Sequence, residues 1–226
     1  MRVVVAGSHG KIGRLLVQAL IERGDSVVGL VRSASQILDL TDLGAEVALI
    51  DLEQDDDVTV SFALQRADAV VFAAGAGPGS GAERKDTVDR AGAVLLADAA
   101  ERAGVRRYVL VSSMGVDEVR ADNVPEDTDP VLLAYLRAKA AAESDLLPRP
   151  LDLTIVRPGH LTDDLGTGRV SLGADVGRGE VTRTDVAAVL AEILHEPRTA
   201  GLTLGLTGGH ARIDDAVYQS IPEDER

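Results

Sequence analysis

The chain has 226 residues, a formal net charge of −14, 45% apolar side chains and no cysteine. The charge disfavours nucleic acid and anionic membranes as partners, since an acidic protein repels their phosphates. The missing cysteine excludes disulfides, thiolate nucleophiles and cysteine-held metals. Without a run of roughly 20 apolar residues, and with a strand-like MRVVVA at its start, the chain is expected to be cytoplasmic, with no signal peptide or membrane span. Lysine occurs only at Lys11, Lys85 and Lys139, whereas arginine and aspartate are plentiful. Either high-salt adaptation or a GC-rich coding bias produces that pattern.

Taken in order, short apolar runs alternate with amphipathic ones. Predicted strands are Arg2–Ala6, Ser26–Val31, Glu46–Ile50, Ala69–Ala74, Tyr108–Ser112, Leu153–Val156 and Leu202–Leu206. Predicted helices are Ile12–Glu22, Ala34–Leu43, Val58–Arg66, Thr87–Ala103, Val131–Leu147 and Thr184–His195. The strands are apolar on both faces, as parallel strands buried between helices must be. The alternation predicts an α/β, Rossmann-like doubly wound parallel sheet with helices on both faces, in one domain over 1–226. Ligands of such sheets bind outside the carboxyl ends of the strands. Two loops fall there as mobile walls, the Gly-rich Gly75–Arg84 and the acidic Asp117–Pro130. The polar tail after Gly208 is expected to fray.

The first strand–helix junction reads GSHGKIG, with Gly7, Gly10 and Gly13 three apart. Such a loop brings backbone close to a pyrophosphate, which then sits on the free N–H groups of the helix N-terminus. The alternative is a tight turn with close helix–strand packing. An NAD site carries Asp or Glu about 20 residues further on, bonding the ribose 2′-hydroxyl. Here the second strand runs into Arg32 and Ser33. A guanidinium clamps a 2′-phosphate, so NADP(H) is expected rather than NAD(H), with Ser8, His9, Lys11 and Ser33 as helpers. A solvated surface arginine is the plainer alternative. Asp51 is placed to accept from the adenine amino group, or to cap a helix, and Leu52 to pack on the ring. Ala73, Ala74 and Gly75 are small enough to admit the cofactor ribose.

Tyr135 and Lys139 stand four apart on a predicted helix and so share a face. An ammonium close to a phenol favours the phenolate, which lets tyrosine exchange a proton while nicotinamide exchanges hydride. Ser112 and Ser113 end the fifth strand, where a hydroxyl can bond a substrate carbonyl. His160, Asp163 and Asp164 lack the spacing of a metal site, and no metal is expected. His195 and His210 read as surface residues, and Pro148 and Pro150 as helix terminators.

These segments, with VRS at 31–33, DL at 51–52, AAG at 73–75, VSS at 111–113, YLRAK at 135–139 and RPGHLTDDLGTGRV at 157–170, resemble the short-chain dehydrogenase/reductase family. The resemblance is to its atypical, single-domain NAD(P)H-binding branch, which includes NAD-dependent epimerase/dehydratase proteins. It implies bound NADP(H) along Gly7–Gly13, Ile12 included. It also implies Tyr135 as acid/base, Lys139 tuning it, Ser113 as catalytic serine and Ser112 as cofactor neighbour. Arg157, Pro158 and Gly159 match the segment flanking the nicotinamide. Asp89 stands where the family usually has asparagine, a carboxylate that either pairs with Lys139 or is structural. The substrate pocket falls to about 157–183 and the C-terminal tail. The expected function is NADP(H)-dependent hydride transfer to a small carbonyl, alcohol or quinone-like molecule, or epimerase/dehydratase chemistry by the same means. The alternative is an NADP(H)-binding redox sensor without turnover. A homodimer is compatible with this reading, though no residue argues for one.

Overall fold

A computed structural model describes residues 1–77, 80–125 and 127–225. Pro78 and Gly79 of the first predicted loop, Glu126 of the second and Arg226 of the tail lie outside the described residues. The chain opens with β1 (Arg2–Ala6), α1 (Lys11–Glu22), β2 (Ser26–Val31), α2 (Ile37–Thr41), β3 (Glu46–Leu49), α3 (Asp57–Ala63) and β4 (Ala69–Phe72). Next come α4 (Ala82–Arg84), a π-wound stretch (Lys85–Ala91), α5 (Gly92–Ala103), β5 (Arg107–Val111), α6 (Val116–Arg120) and α7 (Pro130–Leu146). The remainder is β6 (Asp152–Pro158), β7 (His160–Thr162), β8 (Arg169–Gly173), β9 (Glu180–Thr182), α8 (Arg183–His195), β10 (Thr203–Gly208), β11 (Ala211–Arg212) and α9 (Ile213–Ser220).

Nine strands form one sheet in the order β11-β8-β10-β6-β5-β4-β1-β2-β3. From β3 through to β10 all pairings are parallel, and only β8 runs against its neighbours β10 and β11. Val3, Val5, Val109 and Val156 face α1 and α8 through Leu16, Leu20, Val186 and Leu190. Val4, Val70 and Tyr108 face α3, α5 and α7 through Val60, Leu96 and Leu146. Burying each such side chain is worth about 1.5–3 kcal/mol. β1 is flanked by β2 on one side and β4 on the other, so the connections diverge there. This switch point opens a crevice at the carboxyl ends of the strands.

All seven predicted strands are present, the first two with the predicted ends and the others with ends shifted by at most two residues. The tail departs from expectation. Rather than fraying, it pairs β11 with β8 and folds α9, whose Ala216 and Val217 are buried, with Ile221 beyond it. Three apolar residues among many charges suffice to dock one short helix. α7 starts at Pro130, one residue early, because proline suits the first helical position. Asp129 Oδ1 caps it by accepting from Val131 N at 2.7 Å and Leu132 N at 3.0 Å. α8 starts at Arg183, one residue before the predicted start, and is capped by the Thr182 side chain, which accepts from Asp185 N. The Asp185 carboxylate accepts from the backbone of Thr167 and Gly168.

Candidate active site

Two cavities adjoin in the crevice, sharing Gly10 and the backbone of Ala73 to Gly77. One, of about 360 Å³, is lined by Gly7, His9, Arg32, Asp51, Leu52 and Glu53 among others. The other, of about 650 Å³, is lined by Lys11, Ile12, Lys85, Asp89, Ser112, Ser113, Tyr135, Lys139, Pro158, Gly159 and Arg183, with Val131, Leu132 and Leu161 at its apolar side.

The glycine loop joins them. Gly7 has φ +79°, and a Cβ there would lie 2.5 Å from Ala74 N. A Cβ on Gly13 would lie 2.1 Å from Gly7 O. These two glycines are therefore required by the turn's packing against β4 and α1. Gly10 is the one that faces both cavities. It is the N-cap of α1, no side chain caps that end, and no acidic residue occupies the first turn. Uncapped N–H groups at a 12-residue helix suit an anionic pyrophosphate.

In the smaller cavity Arg32 is half exposed and held only loosely, 3.9 Å from Glu53. Glu53 belongs more firmly to Arg84, at 2.5 Å, and to the Thr87 hydroxyl at 2.8 Å. The Arg84 hydrogen bond, with help from Thr87, holds the Glu53 carboxyl below its usual range. Asp51 lines the cavity as predicted, and its Oδ1 accepts from Glu53 N at 3.0 Å. The helper residues for a 2′-phosphate need correction. Ser8 is fully buried and donates to Leu30 O at 2.9 Å. Ser33 turns to Ser35 Oγ at 2.9 Å, off the cavity wall. Lys11 lines the larger cavity and pairs with Asp163. His9 remains, its ring held by Asp39 at 2.8 Å and Gln36 at 3.2 Å.

In the larger cavity α7 brings Tyr135 and Lys139 to one face as the spacing predicted. Lys139 Nζ sits 5.7 Å from the Tyr135 ring centre, donates to Val111 O at 3.0 Å, and lies 3.2 Å from Asp89 Oδ1. Both partners of that ion pair are buried, so the Asp89 carboxylate is the counter-charge of Lys139. Asp89 Oδ2 also accepts from Ala76 N at 3.1 Å, while Oδ1 has no partner in hydrogen-bond geometry. The Tyr135 hydroxyl makes no hydrogen bond among the described residues and is open to a ligand. Ser113 donates to Met114 O at 3.0 Å and remains half-buried at the wall.

Two expectations do not hold. The Arg157 guanidinium turns away from the cavity, to Glu143 Oε2 at 2.6 Å and Asp117 at 2.6 Å, although Pro158 and Gly159 next to it do line the cavity. The C-terminal tail does not reach the cavity either, because α9 packs against α8 and β8. Sequence reading missed Glu143, fully buried and bonded to Ser112 Oγ at 2.5 Å, Arg157 and Arg120. It stands eight residues after Tyr135, on the same helical face. It also missed Lys85 and Arg183, although Lys85 is one of only three lysines.

Residues 7–197 match the sequence pattern of a family described as NAD(P)H-binding. The chain belongs to this NAD(P)H-binding family. The uncharacterized sugar epimerase YhfK of Bacillus subtilis is 34% identical over 218 residues, covering 96% of this chain and 99% of its own. A Bacillus halodurans protein, provisionally described as an NAD-dependent epimerase/dehydratase, is 36% identical with a TM-score of 0.88, over 97% of this chain and 99% of its own. ChuY of Escherichia coli O157:H7, described as an anaerobillin reductase, is 25% identical with a TM-score of 0.79, over 94% of this chain and 99% of its own. The uncapped α1 terminus between the two cavities fits the phosphates of such a nucleotide.

Proposed function

We propose that the chain is an NADP(H)-dependent reductase of a small, largely apolar carbonyl or quinone-like substrate. The observation that carries this reading is the free Tyr135 hydroxyl above the buried Lys139–Asp89 pair, in a cavity continuous with the nucleotide crevice. When bound, the nicotinamide supplies the hydride. The chain's own residues handle the oxygen and its proton. Tyr135 donates a proton to the substrate oxygen, and the Lys139 ammonium stabilises the charge left on the phenol. The Ser113 hydroxyl, released from Met114 O, donates to the same oxygen.

Arg32 supports NADP(H) over NAD(H), since among the described residues no carboxylate holds it closer than 3.9 Å. YhfK is described as a sugar epimerase, which uses related hydride chemistry. The apolar wall of Val131, Leu132, Pro158 and Leu161 favours a reductase of apolar molecules over a sugar-modifying enzyme.

The test follows consumption of NADPH and NADH by absorbance, with quinones, flavin and small carbonyls as acceptors. Turnover with NADPH should fall at least about a hundredfold in Tyr135→Phe, the contribution of one general acid, with NADPH affinity retained. Tight NADPH binding with no turnover on any acceptor would favour a redox sensor.

A further inference from the structure

We propose that the larger cavity selects an anionic substrate, an acidic group on an apolar body, and that Lys85 receives the acidic group. The proposal rests on the reading of this cavity as the substrate site, and goes further by naming the charge of what it takes.

All three lysines of the chain line this one cavity, together with Arg183. In a protein with 37 acidic residues against 23 basic ones, such a concentration of cations needs a reason. Three of the four have their counter-charge within the protein. Lys139 has Asp89 at 3.2 Å. Lys11 and Arg183 share Asp163, which is 2.6 Å from the Arg183 guanidinium. Lys85 has none among the described residues. Its ammonium donates to Gly77 O at 2.9 Å and lies 5.6 Å from the centre of the Tyr135 ring.

Lys85 is only 7% exposed. A buried ammonium without a carboxylate is costly, because a carbonyl and an aromatic face replace only part of its hydration. A ligand that brings a negative charge removes that cost on binding. An ammonium presents a point charge with three donors, of which Gly77 takes one, so a carboxylate or a phosphate can fill the rest.

Position separates this role from binding of the cofactor's adenosine end and 2′-phosphate. Lys85 lines the cavity of Tyr135 and Lys139, and is absent from the wall of the one holding Arg32 and Asp51. Lys85 and Asp89, four apart on the π-wound stretch, line the same cavity, and such windings gather at functional sites. The same cavity is lined by Val131 and Leu132, both exposed at the start of α7. A charged group and apolar side chains in one cavity describe an amphipathic acid.

The experiment is calorimetric titration of the NADP+-saturated protein with three probes of similar shape: cinnamate, its neutral amide, and phenyl phosphate. Cofactor affinity is measured first, so that loss of the oxidoreductase reading shows as failure to bind nucleotide, whatever the probes do. Wild-type protein should bind at least one anion about tenfold more tightly than the amide, the scale of one charge-assisted contact. Whichever anion binds more tightly identifies carboxylate or phosphate as the group. Lys85→Met should abolish the preference and leave amide and NADP+ affinity within about twofold, and Lys85→Arg should keep it. Equal binding of amide and anions by wild type, or no binding of either anion, overturns the proposal. So does a Lys85→Met variant that weakens all three probes alike, or that loses NADP+ affinity.

Discussion

A methyl group on Gly13 would sit 2.1 Å from the carbonyl oxygen of Gly7, which is backbone and cannot swing aside. Gly13→Ala should therefore destabilise the protein by about 2 kcal/mol or more, read as a lower urea midpoint, and should weaken NADPH binding as the loop shifts. Gly10→Ala meets the same oxygen at 3.1 Å and should cost less. An equal loss in both variants would mean that nucleotide approach, not turn packing, dictates the glycines. Arg32 makes the opposite kind of prediction, since it packs against little. Arg32→Ala should leave stability unchanged and weaken NADPH about 10- to 100-fold while leaving NADH alone. Equal loss of both cofactors in a binding titration would show that Arg32 does not read the 2′-phosphate.

Among the elements, the pairing of α7 with the π-wound stretch matters most to the site. Lys139 and Asp89 are buried against each other across it, 3% and 0% exposed. Removing one partner of a buried pair strands the other charge, at about 3–5 kcal/mol. Asp89→Ala should show that loss in urea unfolding. Asp89→Asn, which keeps an oxygen acceptor beside Lys139 without the charge, should recover part of the stability. If Asp89→Ala unfolds like wild type, the ion pair is not what holds Lys139. The reach of sequence reading can be seen in these same elements. The Tyr135–Lys139 face follows from helical spacing alone, and the crevice from βα alternation. Arg157 was misplaced because it was assigned with its segment, and a segment match does not say which way one side chain of a strand points, since neighbours along a strand face opposite sides. Ser8 looked like a phosphate ligand because loop hydroxyls commonly are, yet Leu30 O, on the neighbouring strand, claims it. Lys85 was passed over because its neighbours, Glu83 and Asp86, suggest a solvated surface. It also precedes the predicted helix Thr87–Ala103, so no periodicity placed it.

At the scale of the whole molecule, the surface carboxylates are held by arginines. Hydrogen bonds from Arg2, Arg178, Arg106 and Arg198 place Glu46, Glu118, Asp152 and Glu196 below their usual pKa. Each exposed pair contributes little, but all act in the same direction. A depressed folded-state pKa gives stability that is fully present above the unfolded value of about 4 and drains as pH falls through the folded value. The urea midpoint should therefore stay level down to about pH 5 and fall steadily below about pH 4. A midpoint that rises on acidification would mean that relief of the −14 self-repulsion outweighs the pairs. The π-wound stretch has a consequence of another kind. Each residue of an ordinary α-helix advances the chain by about 100°, so deleting one residue from Lys85–Ala91 would let the segment relax to that common winding. The wide winding takes up about one residue more per turn than an α-helix does, so the shortened, α-wound segment would sweep nearly the same total angle. A single-residue deletion between Lys85 and Asp89 would therefore leave α5 and the core in place and change only the spacing of those two charges along the cavity wall.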